Sequence, residues 1–299
     1  MARQPILPSN AKDPTGQAGR EARAEKDWGR RLRAIEKLYR DLLDSLPTRT
    51  VTTNATLYET TPEILALSLA DVGDQVDRLL LQGGTQDLWF TEAYVEPAYV
   101  QGTAQQLSNL SVQSAAYAAT RPNLTALLMS QPYQTRLGFL RVRQYDNMVG
   151  LSAEIKRSMS LVLQDGLAAG LNTRTIAANL TAQTGIEQRR AALIAQTEIP
   201  GALRQARMAE ADQARVELGL LSREMHMSAL LPTTRATHRA RHATLHTTEE
   251  QRIWWSQDGN RYRCHCSTVT VLVDENGKPL TPGVVDRAKA MLEKNPAPA

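Results

Sequence analysis

Leu231–Val273 reads LPTTRATHRARHATLHTTEEQRIWWSQDGNRYRCHCSTVTVLV and holds four of the five histidines (His238, His242, His246, His265), both cysteines (Cys264, Cys266) and two of the four tryptophans (Trp254, Trp255). Its last third, from His265 to Val273, alternates and is rich in β-branched residues, the pattern of a strand. Asp274-Glu275-Asn276-Gly277 follows as a turn signal, and Glu224–Ala229 upstream also shifts toward a period of two. Between the two candidate strands, Thr247-Thr248-Glu249-Glu250 reads as the capped start of a short helix. This end of the chain therefore predicts a small α+β module, completed by a last helix over Pro282–Lys294.

Everything before it has helical spacing. Trp28, Leu32, Ile35, Tyr39, Leu42 and Leu46 are spaced 4, 3, 4, 3, 4 on an otherwise charged segment that Pro47 ends. This stripe is either the buried face of an amphipathic helix or a seam for another chain, with Trp28, Leu32, Ile35, Tyr39 and Leu42 as the docking residues. A Thr-rich connector leads to Thr61-Pro62-Glu63, an N-cap followed by proline at the first helical position, and that helix stops at Gly83-Gly84. A third helical region covers 85–120, interrupted near Pro97. A long helix begins at Arg136 and ends near Gly166 or Gly170. Gly170–Leu180 gives a glycine stop, a polar cap and a new helix, which Thr184-Gly185-Ile186 closes, and the helix after that is expected to kink or divide at Pro200.

These readings give a mainly α protein with an elongated helical N-terminal half and a small α+β C-terminal module. The expected layout is a flexible arm over 1–20, a helical domain over 21–135 and a C-terminal domain over 136–299. Ala and Leu outnumber the β-branched and aromatic residues, which favours helix. A net charge of +4 fits a nucleic-acid or other anionic partner without requiring one. Two cysteines one residue apart make no disulfide framework, and no apolar run reaches membrane-spanning length, so synthesis in a reducing cytoplasm and no membrane partner are expected.

Cys264 and Cys266 sit two apart at the start of a strand, so their side chains share a face. With His238 and His242 they compose an N/S donor set of the kind zinc prefers, although C-x-C is not a zinc-finger spacing. If the run is helical, His238, His242 and His246 share a face, but the glutamate of H-E-x-x-H is absent: Arg239 follows His238 and Ala243 follows His242. Arg239, Arg241, Arg261 and Arg263, interleaved with Trp254, Trp255 and Tyr262, form a mixture suited to phosphate contact with stacking. The bland alternatives are cysteines packed as small apolar groups, a tryptophan filling the core, and solvated or paired arginines.

Three pieces in this order resemble the phage Mu F-like head morphogenesis family of tailed bacteriophages. They are Gly170–Leu180 (GLNTRTIAANL), Ala195-Gln196-Thr197-Glu198, and Arg235-Ala236-Thr237-His238 followed by Arg241–Thr247 and Cys264-His265-Cys266. The chain departs from the family's pattern at Ala243, where glycine is usual, at Thr233-Thr234, often acidic, and at His265, often basic. The resemblance implies that Thr197, Glu198, Arg235, His238, Cys264 and Cys266 are structural motif residues and that 136–299 is the family's domain. It also implies a non-enzymatic minor head protein in the virion head or neck, with the portal protein, the major capsid or scaffolding protein and double-stranded DNA as partners. Capsid assembly, DNA packaging and DNA ejection are the processes it implies. That reading needs no cofactor, and a structural zinc is the one that the donor set allows. The rival readings are a metal-dependent hydrolase or nuclease using His238, His242 and the cysteines, and a DNA-binding module.

Overall fold

A computed structural model describes residues 4–52 and 55–296. The tips of the expected arm and tail, 1–3 and 297–299, lie outside the described residues. The chain is 66% helical, with small antiparallel sheets, as the sequence pattern requires. It groups into two compact units, each assembled from separated segments: 23–92 with 138–192, and 1–22 with 93–137 and 193–299.

The first unit is helical. It contains most of α1 (Ala18–Ser45), the hairpin of β1 (Thr48–Thr52) and β2 (Ala55–Tyr58), α2 (Pro62–Leu80), the larger part of α6 (Gln131–Ala168) and the start of α7 (Thr173–Leu218). The hairpin occupies what reads in sequence as a connector. Trp28, Leu32, Ile35, Tyr39, Leu43 and Leu46 are buried along α1. The run steps 4, 3, 4, 4, 3, the 3.6-residue period of a helix packed on its own core, so Leu43 replaces Leu42 from the strict heptad. Trp28 meets Trp89 edge-on, with centroids 4.9 Å apart, and Tyr39 donates its hydroxyl to the Lys156 carbonyl. The supposed docking seam is therefore interior: of its five residues only Leu42 is partly exposed, where it lines a shallow groove with Leu67.

Thr61 caps α2 by accepting from the Ile64 amide, with Pro62 in the first turn. Gly170, at φ +63, turns the chain between α6 and α7, and Asn172 caps α7 by accepting from the Thr175 amide. Two expected breaks do not divide the helix. Gly185 and Pro200 both lie inside α7, which continues for 46 residues. The tertiary surroundings of α7 outweigh the local cost of one glycine and one proline.

The second unit carries α3 (Glu96–Gln113), reached through a π-helical turn over Thr91–Val95, then α4 (Ala115–Thr120), α5 (Leu124–Leu128) and the C-terminal half of α7. Gly102 lets α3 approach α7 closely: a Cβ there would fall 2.4 Å from the Leu203 carbonyl oxygen. A three-stranded antiparallel sheet follows, ordered β4 (Leu245–His246), β3 (Ser222–Met227), β5 (Ser267–Leu272), with α8 (Ala236–Ala240), α9 (Thr248–Ser256) and α10 (Val284–Glu293) around it. One sheet face is apolar: Met225, Met227, Val269 and Val271 pack with Ala243, Val284 and Ala288. The other face is polar and equally buried, with Glu224, His226, Thr268 and Thr270 inaccessible. The outer edge of β5 is closed by amide side chains of α3, since Asn109 and Gln113 donate to the Thr270 carbonyl and Gln113 accepts from the Leu272 amide. An open strand edge is thereby hidden.

The segment expected as a flexible arm is held against this unit. Ile6 donates its amide to Asn109, Leu230 donates to the Ala11 carbonyl, Arg287 bonds the Pro5 carbonyl, and Thr15 and Gln17 are buried. Low local periodicity says only that a segment is not regular. It does not say that its backbone groups lack partners elsewhere in the chain.

Candidate functional site

The site lies where α8, α9 and the start of β5 meet. After α9 the chain makes a tight loop with Asp258, Gly259 and Arg263 all at positive φ, and this delivers Cys264 and Cys266 to the strand on one face. Thr247 and Glu250 close a reciprocal capping box at the start of α9, as the sequence predicts. His238 Nδ1 lies 3.5 Å from the Sγ of Cys264 and 3.5 Å from that of Cys266. All three side chains are buried, and the three donor atoms fall within 4.8 Å of one another.

A third group sets the histidine's tautomer. Asn260 donates its amide nitrogen to the Trp254 carbonyl, so its Oδ1 faces His238 Nε2 at 3.2 Å. Nε2 must then carry the proton, and the Nδ1 lone pair points at both sulfurs. The hydrogen bond from Cys266 favours the thiolate at Cys264 and holds the proton on Cys266. Trp254 packs edge-on against both His238 and His226, at 4.6 and 5.0 Å between centroids.

The other motif residues pin the backbone that carries the cysteines. Arg235 donates to the carbonyls of Gly259, Asn260 and Tyr262. Thr197 accepts from the Arg263 amide, and Glu198 pairs with Arg261 at 2.8 Å. Arg204, buried and stacked on Trp255, donates to the carbonyls of Cys264 and Cys266. A guanidinium fork suits this work because several donors in one plane satisfy several carbonyls at once.

Not every predicted site residue joins the cluster. The run of three histidines is not one helix: α8 ends at Ala240, and His242 turns to the other side. Its Nδ1 accepts from the Ser228 amide and its Nε2 donates to the Ala288 carbonyl, so both ring nitrogens are used and neither reaches the cysteines. His246 bonds the Thr244 hydroxyl. Of the four arginines read as phosphate contacts, three bond within the chain. Arg239 reaches the Asn295 carbonyl, Arg241 bonds Gln251 and covers Trp254, and Arg261 pairs with Glu198. Arg263 has an exposed side chain.

Three residues that sequence reasoning passed over belong here: Arg204, Asn260 and His226. Arg204 stands seven residues after Thr197, two helical turns along the same face, and that spacing was a usable signal. His226 is inaccessible, with Nδ1 bonded to Gln251 and Nε2 lacking a hydrogen-bond partner. Burial drives its pKa down to about 3, so the ring is neutral.

Residues 157–269 match the family model described as Phage Mu protein F like protein. The matched segment is similar to that family. It spans a little over a third of the chain and takes in all three motif pieces, from Gly170 to Cys266. The Phage Mu F-like match points to phage head morphogenesis. No curated protein and no solved structure matches the chain. No helix among the described residues is long and apolar enough to cross a membrane.

Proposed function

We propose that this protein is a non-enzymatic minor head protein of a tailed phage, which joins the procapsid, associates with the portal and stays in the virion head or neck. The major capsid or scaffolding protein and packaged double-stranded DNA complete the set of partners. The observation that carries the reading is the family match over 157–269, supported by the use to which this chain puts the motif side chains. Thr197, Glu198 and Arg235 act on backbone groups or on one another's loop, which is the work of residues that hold a module together. The arginine set favours this over a DNA-reading module, because Arg261 is already paired with the Glu198 carboxylate, and Arg239 and Arg241 hold their donors on groups of the chain itself.

The test is co-sedimentation of the full chain with procapsids and with mature particles made by the phage that encodes it. The protein is expected in both, at low copy, and particles purified from a deletion are expected to package or deliver DNA poorly. A protein absent from every particle form, in lysates where it is abundant, would end the proposal.

A further inference from the structure

We propose that Cys264, Cys266 and His238 bind a zinc ion, with His226 as the fourth ligand, in a closed structural site that ties the start of β5 to α8 and β3. Three observations lead there, and none depends on the family.

The first is distance. Zinc bonded tetrahedrally to sulfur at about 2.3 Å and nitrogen at about 2.0 Å holds the two donor atoms about 3.5 Å apart. Both sulfur to Nδ1 distances are 3.5 Å. A thiol–imidazole hydrogen bond has a similar length, so the distances fit the ion and the tautomer and the fourth nitrogen carry the choice.

The second is the tautomer. A histidine that ligates metal presents one nitrogen as a lone pair and donates from the other to a fixed acceptor, which orients the ring. The chain Trp254 carbonyl, Asn260 amide, His238 Nε2 does this and leaves Nδ1 facing both sulfurs. Asn260 is itself buried, so the orientation is not shared with water.

The third is the unpartnered nitrogen. His226 Nε2 is buried with no hydrogen bond, and its ring centroid lies 6.5 Å from that of His238. A buried polar group left unmet is costly, and a metal bond meets it. Coordination at Nε2 requires Nδ1 to carry the proton and Gln251 to turn its carbonyl toward it, a half-turn of one amide that also gives up the Arg241 bonds to its Oε1. It also requires His226 to move inward, because its donor atom lies outside the set of three that are within 4.8 Å. Loading releases to solvent the proton that Cys266 holds, with any remaining on Cys264, so that both sulfurs bind the ion as thiolates. Four protein donors and full burial leave no position for substrate, which is the arrangement of a structural site.

The experiment uses the full chain, expressed with zinc in the medium and purified without chelator. Mass-spectrometric metal analysis should find close to one zinc per chain. Protein stripped of metal and titrated with cobalt should develop a thiolate-to-cobalt charge-transfer band and visible bands of tetrahedral intensity, a result that needs no variant and so cannot be confused with misfolding. Asn260→Ala should weaken cobalt binding about 10- to 100-fold, and His226→Gln by at least as much with altered visible bands. Absence of retained metal together with a silent cobalt titration overturns the site, as does a Cys264–Cys266 disulfide in freshly purified protein. Unchanged visible bands in His226→Gln overturn the fourth ligand.

Discussion

The two units bury their interiors in opposite ways. In the helical unit the inward face of α1 is Trp28, Leu32, Ile35, Tyr39 and Leu43, and polar groups such as Asp77 and Lys156 meet at its margin. In the sheet-bearing unit much of one sheet face is polar and inaccessible: Glu224, His226, Thr268 and Thr270 lie in the interior with Gln106 and Arg207. Area burial stabilises the first kind of core almost regardless of the exact partners. The second kind holds only if each donor finds its acceptor, because a buried polar group left unmet costs about 1–3 kcal/mol. A polar interior thus specifies one arrangement of segments more sharply, and it fails at single atoms.

Truncating one large side chain in each core tests that contrast. Trp28→Ala should cost about 3–5 kcal/mol, the range for emptying an aromatic site. Arg204→Ala removes a smaller apolar volume, yet strips the bonds from two buried carbonyls, and should cost about 2–4 kcal/mol. Denaturant unfolding followed by circular dichroism gives the totals, and hydrogen exchange by segment gives the location. Loss of protection should concentrate in 23–92 for the tryptophan and in 254–273 for the arginine. If Arg204→Ala costs under about 1 kcal/mol, the carbonyls of Cys264 and Cys266 are not held as described, and the contrast between the units disappears.

Charge offers a second, smaller test confined to the polar core. Burial raises the Glu224 pKa, against the lowering effect of hydrogen bonds from Thr268 and Thr270 and of the Arg207 charge. A group whose folded pKa exceeds its unfolded value, about 4.3 for glutamate, contributes stability that is fully present below the unfolded value. That stability is lost as pH rises through the folded value. Arg207, lowered by its own burial to about 10, remains charged throughout that window. The stability of Glu224→Gln relative to the wild type should therefore move in the variant's favour from about pH 4 upward. Unfolding midpoints across a pH series read this directly, and a difference that stays flat or runs the other way would show that the threonine hydrogen bonds and the Arg207 charge outweigh desolvation.

The same contrast explains what could be read from the chain. The α1 stripe, the Thr61 cap, the Thr247–Glu250 capping box and strands β3 and β5 are local patterns, and they lie close to where spacing puts them, with Leu43 in place of Leu42 and β3 starting two residues early. The hairpin in the Thr-rich connector, which bonds the Gly170 and Leu171 carbonyls, and the packed N-terminal segment depend on partners far along the chain, and the continuation of α7 through Pro200 is not marked locally. The site divides in the same way. Cys264, Cys266 and His238 were legible as a donor set from residue type, but His242 was included because spacing on a presumed helix is a local argument. His226 and Asn260 enter only once the strand and the loop are brought beside α8.

The smallest effect belongs to the backbone. Ala243, at a position where glycine is usual in the pattern that the chain resembles, has φ +62, and it also packs its methyl group in the apolar cluster beneath the sheet. A left-handed conformation costs a non-glycine residue about 1–2 kcal/mol. Against that, glycine forfeits about 0.8 kcal/mol of methyl burial and about 0.5–1 kcal/mol through the greater freedom of its unfolded chain. The opposing sums nearly cancel, so Ala243→Gly should lie within about 0.5 kcal/mol of the wild type. A gain beyond about 1 kcal/mol would mean that the methyl contributes little to the core. A loss of that size would mean that the backbone at His242–Thr244 carries no strain, and that the alanine is retained in this chain for its packing.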